Sequence, residues 1–168
     1  VEGIRSVTDL PVCATMSFDT NGRTMMGATP EEAVRTMSGW GLDAIGANCG
    51  NGTDELEGVI FTMHREAPEV TLIAKANAGL PQWRDNVLYY DATPASMAEY
   101  AQRVRALGAS LIGGCCGNGP EHIRAIADTA NVPLSIAERE TLLQEKTQQR
   151  ETMKREPARE RSRRRGQQ

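Results

Sequence analysis

Of the four cysteines in the chain, three stand where chemistry is easily built. Cys49 lies in Gly46-Ala47-Asn48-Cys49-Gly50, and Cys115 and Cys116 lie side by side in Gly113-Gly114-Cys115-Cys116-Gly117. Flanking glycines free the backbone for angles that a β-carbon forbids, which two adjacent thiolates need in order to face one ion. A soft thiolate set favours Zn²⁺, and three protein ligands leave a fourth tetrahedral position open to water or substrate. A substrate thiol bound there loses its proton at neutral pH, so the site prepares a sulfur nucleophile, and attack on a methyl carbon is the reaction it serves best. Spacing alone leaves two plainer roles open: buried small hydrophobes, or a redox couple. A disulfide framework fits poorly, because neighbouring cysteines rarely satisfy disulfide geometry and no secretory leader is evident.

The elements that must position these thiols alternate in type. Leu10 through Ser17 (LPVCATMS) reads as a buried strand, and Thr29-Pro30-Glu31-Glu32 as the capped start of a helix with Val34, Met37 and Trp40 on its buried face. Leu42 through Ala47 is a second strand, followed by a helix over 54–65 with Leu56, Ile60 and Met63 inward. Val70 through Lys75 is a third strand, and a longer irregular stretch separates it from a helix opening at Thr93-Pro94 with Met97, Tyr100, Val104 and Leu107 inward. Ala109 through Gly113 is a fourth strand, and Pro120 begins a helix with Ile123 and Ile126 inward. Strands alternating with helices in this way indicate right-handed βαβ crossovers and a parallel sheet, either a small open α/β sheet or part of a (β/α)₈ barrel. In such folds functional groups gather at the carboxyl ends of the strands, where Cys49, Cys115 and Cys116 fall.

Composition narrows the class. The chain has 168 residues, enough for one domain, with only 4% aromatic residues, a poor fit to stacking on nucleic acid. No apolar run nears the roughly 18 residues that span a bilayer, so a soluble cytoplasmic protein without a membrane partner is expected. The net charge of −3 conceals a division: residues 1–136 carry −7 and residues 137–168 carry +4. We therefore expect one α/β portion over 1–136 and a charged tail over 137–168, disordered or a solvated helix with Leu142, Leu143 and Met153 as its apolar handles. The arginines at 161 and 163–165 make nucleic-acid contact conceivable, but a solvated tail is the favoured reading.

The segment Lys75-Ala76-Asn77-Ala78-Gly79-Leu80-Pro81, the stretch from Tyr90 to Thr93-Pro94, Ile112–Ala127 (IGGCCGNGPEHIRAIA) and Gly46–Gly50 (GANCG) together resemble the homocysteine S-methyltransferase family. That family includes betaine-homocysteine methyltransferases, enzymes using S-methylmethionine, and the homocysteine module of cobalamin-dependent methionine synthases. The resemblance implies a TIM barrel, (β/α)₈, of which this chain supplies about the last four strand-helix units. It implies Cys49, Cys115 and Cys116 as ligands of a catalytic zinc, with homocysteine sulfur in the open position and methionine as the product. Betaine or another small methyl donor is the expected co-substrate. A truncated zinc or redox thiol protein without catalysis is the alternative, as is the homocysteine half of a corrinoid- or folate-dependent methionine synthase. A second copy of the chain or a corrinoid partner is a further candidate partner.

Other residues carry weaker expectations. Asn48 is a candidate to orient the site or bind substrate, and Asp19, at a strand end and by resemblance near the donor side, is a candidate binding residue or a turn residue. Cys13, inside the first strand, is expected to be buried. His64, expected to be exposed, and His122 lack ligand spacing to the cysteines and are read as structural.

Overall fold

A computed structural model describes residues 1–19 and 21–155. The elements are α1 (Glu2–Arg5), β1 (Cys13–Ser17), α2 (Pro30–Ser38), β2 (Ala44–Cys49), α3 (Thr53–Glu66), β3 (Leu72–Ala76), β4 (Pro81–Arg84), β5 (Val87–Tyr90), α4 (Pro94–Ala106), β6 (Ala109–Gly114), α5 (Pro120–Thr129) and α6 (Ile136–Arg155). Strands β1, β2, β3 and β6 pair in that order, all parallel, each joined to the next by a helix-bearing crossover.

Local chemistry sets the helix starts. Thr29 accepts the amide of Glu32 while the Glu32 carboxylate accepts the amide of Thr29, with Pro30 at the first helical position of α2. Thr93 and Ser96 repeat this reciprocal cap ahead of Pro94 in α4. The apolar faces of α2 (Val34 and Met37), of α3 (Leu56, Ile60 and Met63), which starts at Gly52 without a side-chain cap, and of α4 (Met97, Tyr100 and Val104) join the strands in one core. Strand β3 shows the consequence in its alternation: Leu72, Ala74 and Ala76 are buried against the helices, whereas Ile73 and Lys75 are half-buried on the opposite face.

Several expectations need correction. Trp40 is 53% exposed, because α2 ends at Ser38 and its helical spacing no longer applies two residues later. Ile123 is exposed as well: α5 stands at the margin of the helical layer, and Ile126 is its buried residue. Cys13 is exposed, because Ala14 and Met16 pack toward the core and the alternation turns Cys13 to the other face. His64 is half-buried rather than exposed; its ring lies where a β-carbon on Gly108 would be, 2.3 Å from Cγ. The stretch between the third strand and α4 holds an antiparallel hairpin, β4 with β5, turned at Asp85 and Asn86, both with positive φ as a two-residue hairpin turn requires.

The charged tail also differs from expectation. Residues 136–155 do form a helix, but it is seated rather than solvated along one side: Leu142 packs with Phe61 and Leu107, and the Lys146 side chain is fully buried. Burying one leucine in this way stabilises docking by about 1.5–3 kcal/mol. The arginines at 161 and 163–165 lie outside the described residues. Among the described residues no helix is long and apolar enough to cross a membrane.

Candidate metal centre

The strand order places the thiols. Strands β2 and β6 flank β3, with Cys49 opposite Ala76 and Ala76 opposite Gly114, so the end of β2 and the end of β6 emerge level with one another across one intervening strand. Cys49 is itself the last residue of β2, two residues beyond the expected strand end, and takes φ of +58°. That left-handed turn departs from the strand's alternation where the thiol has to face a neighbouring loop. Cys115 and Cys116 follow β6 directly. The three sulfurs lie within 4.8 Å of one another, with Cys49 Sγ 2.8 Å from Cys115 Sγ and Cys115 Sγ 4.0 Å from Cys116 Sγ.

These thiols are free and not joined in a disulfide. Four-coordinate zinc at a Zn–S distance of about 2.3 Å puts sulfurs roughly 3.8 Å apart, a value bracketed by the two sulfur separations given above. The cluster therefore suits one soft metal ion. Cys49 and Cys115 are half-buried and Cys116 is exposed, which leaves one side of the cluster open to a ligand.

Polar neighbours hold this arrangement. The Asn48 side chain donates to Cys49 Sγ at 3.2 Å and to Ser17 Oγ at 3.3 Å, so the Asn48 candidate does meet the cluster. Asp19 is exposed and joins through its backbone, its carbonyl accepting the Asn51 amide side chain at 2.9 Å. Glu55 was missed in the sequence reading. Its carboxylate accepts the backbone amides of Gly22 at 2.6 Å and Asn51 at 3.0 Å, tying the loop after β1 to the loop after Cys49.

Asn77 was also missed, although its place just past β3 is the strand-end position where functional polar groups collect. It is buried between the two cysteine loops, donating to Gly50 O at 3.1 Å and accepting the Cys116 amide at 3.2 Å. Asn118 donates to Ala76 O at 3.0 Å and to Cys115 O at 3.3 Å, closing the turn behind the pair. Tyr90, at the end of β5, lies beside this turn: a β-carbon on Gly117, whose φ is +78°, would sit 2.3 Å from the Tyr90 ring. Desolvation, and then the negative charge that the neighbouring Cys116 thiol can carry, raise the Tyr90 phenol above its ordinary pKa. His122 accepts the Gly119 amide at Nδ1, which leaves Nε2 to donate to Ala92 O, and so braces the start of α5 without reaching the thiols.

Comparison with known proteins gives the chain a family. The family profile described as homocysteine S-methyltransferase matches residues 1–130. The chain belongs to the homocysteine S-methyltransferase family. Its relatives include methionine synthase of Mycobacterium tuberculosis, 33% identical over 124 residues, and methionine synthase of Mycobacterium leprae, 32% identical over 119 residues. These matches cover 73% and 70% of this chain but 10% of each synthase, so the chain spans about a tenth of the length of the curated relatives it matches. Among solved structures, the metallated form of the homocysteine methyltransferase MmuM from Escherichia coli aligns with a TM-score of 0.59 at 20% identity, over 76% of this chain and 38% of that one. Its apo form aligns equally well, at 0.59. The four parallel strands and their helices are thus part of the TIM barrel of this family.

Proposed function

We propose that this chain is the zinc-binding portion of a cytoplasmic homocysteine S-methyltransferase, in which Cys49, Cys115 and Cys116 hold Zn²⁺ and homocysteine is methylated to methionine. The observation that carries the reading is the convergence of three thiols from two loops, 66 residues apart for Cys49 and Cys115, in a chain of this family. When bound, zinc lowers the pKa of a thiol at its open position, so that homocysteine reacts as thiolate at neutral pH. The chain's own groups do the rest. The Asn48 amide directs its N–H at the Cys49 sulfur and disperses thiolate charge, while Asn77 keeps the Cys49 and Cys116 loops in register. Asp19, on the loop tied to Asn51, is our candidate for binding substrate or donor. In the overall reaction the homocysteine sulfur forms a bond to the methyl carbon as the methyl-donor bond breaks, and the bonding pair leaves with the donor.

The similarity to two methionine synthases favours a methyl donor carried by a corrinoid partner, or by another part of a longer protein, over free betaine or S-methylmethionine. Metal analysis and absorption spectroscopy of the full chain, purified under reducing conditions and loaded with Co²⁺, test the assignment. We expect about one zinc per chain as purified, a thiolate-to-cobalt band after exchange, and a shift of that band on adding homocysteine, all lost in Cys49→Ser. Absence of metal after reconstitution would overturn the zinc assignment. A metal band indifferent to homocysteine would leave a non-catalytic thiol protein.

A further inference from the structure

Helix α6 begins beyond residues 1–130 of the family match, yet it is anchored at the element that controls the Cys49 loop. Lys146 is 1% exposed, and lysine is rarely so buried unless paired. Its ammonium donates to Asp54 Oδ1 at 2.5 Å and to the Asp54 carbonyl at 3.3 Å, and lies 3.0 Å from Glu57 Oε2. Asp54 adjoins Glu55 in the first turn of α3, and the Glu55 carboxylate holds the amides of Gly22 and Asn51. Farther along α6, Arg150 pairs with Glu31 of α2 at 3.2 Å, and the Met153 methyl lies 3.0 Å from where a β-carbon on Gly22 would be. One helix therefore touches both the base of the Glu55 tether and one of the loops it ties.

We infer that Lys146 is a positioning residue for the metal centre: by fixing the first turn of α3 it sets the aim of Glu55, and through Gly22 and Asn51 it sets the pose of the loop that follows Cys49. The pair with Glu57 is buried at both ends, whereas the Asp54 side chain is 73% exposed; a buried ion pair adds little net stability compared with apolar packing, but it demands one geometry, which is what a tether needs. Arg103 of α4 shares Glu57 with Lys146, so the α3 carboxylates keep a cation on one side only when α6 is lifted.

The metal part of this inference rests on the zinc reading, whereas its loop part does not, and the test separates them. The full chain is compared with Lys146→Met, Lys146→Arg and Leu142→Ala, the last undocking α6 without touching a charge. Amide hydrogen exchange is read at Gly22 and Asn51, against Val104 in the core, and Cd²⁺ affinity by chelator competition on the folded protein. Lys146→Met and Leu142→Ala should each lower protection at Gly22 and Asn51 about tenfold relative to Val104, and weaken Cd²⁺ binding about tenfold, the lower end of the range for groups that support metal ligands. Lys146→Arg should restore much of both. Unchanged protection at Gly22 and Asn51, or a uniform fall that includes Val104, would overturn the positioning role and leave α6 a stabilising helix. Loss of loop protection in a protein that binds no Cd²⁺ even as wild type would uphold the tether and refute the zinc reading.

Discussion

Asn77 and Cys116 are joined side chain to backbone, the Asn77 Oδ1 accepting the Cys116 amide at 3.2 Å while its Nδ2 reaches across to Gly50 O. One buried amide thus couples the two loops whose thiols must meet. Replacing it by alanine removes both hydrogen bonds, leaving the partly solvent-accessible Cys116 amide and Gly50 carbonyl without this partner, at a cost of about 0.5–1.5 kcal/mol per bond. We expect Asn77→Ala to lower the urea midpoint accordingly and to reduce metal retention. An unchanged midpoint with full retention would show that the loops hold their register without it.

Gly46 faces β3 so closely that an added β-carbon would lie 1.9 Å from Ile73 O. Alanine there must push β2 from β3, and we expect a loss of about 3 kcal/mol or more, the upper range for overpacking. Thermal unfolding followed by circular dichroism reads this directly; a shift within error would mean that the strand pair separates freely.

The caps make a milder prediction. Thr93→Ala removes the acceptor for the Ser96 amide and should cost about 1 kcal/mol. For a domain of this size that is a fall of roughly 3 °C in melting temperature, measured calorimetrically.

Acid should release α6 before it unfolds the core. Burial works against the Asp54 carboxylate, but Lys146, with smaller help from Gln149 and Arg103, more than offsets it and holds the carboxyl below the ordinary aspartate value. A depressed folded pKa contributes stability that is fully present above that value and is lost as pH falls through the lower folded one. Docking of α6 should therefore be constant from neutrality to about pH 4 and weaken below it. Hydrogen exchange of α6 amides across this range checks the sign; weakening already between pH 7 and 5 would contradict it.

How much was legible follows from how local each signal is. The caps at Thr29 and Thr93 were readable because cap and partner sit three residues apart, and the inward faces of α3 and α4 because their period is intrinsic to a helix. The end of β2 was misplaced: the strand reads as stopping at Ala47, before Asn48-Cys49-Gly50, whereas Cys49 completes the ladder and then turns within its own φ. The hairpin carried its signal in Asp85-Asn86, but its strands expose Trp83, Leu88 and Tyr89 and lack the alternation that marks a half-buried strand. Lys146 was illegible in principle. Its partner Asp54 is 92 residues away, and in a run of Glu, Gln, Lys and Arg nothing marks Lys146 as buried. The thiol cluster fell between these cases: spacing nominated three cysteines, and their nearness depended on β6 pairing with β3 across an inserted hairpin.

The same separation in sequence gives the thiol centre a role in how the chain reaches its fold. An ion held by both Cys49 and Cys115 closes a loop of 66 residues, which by chain-entropy arithmetic for a covalent link removes about 4 kcal/mol of freedom from the unfolded ensemble. Helices α2 to α4 can form from near neighbours, but the two cysteine loops meet only after β2, β3 and β6 have aligned. An ion bound there would act as a latch on the finished sheet, opposing the separation of its strands.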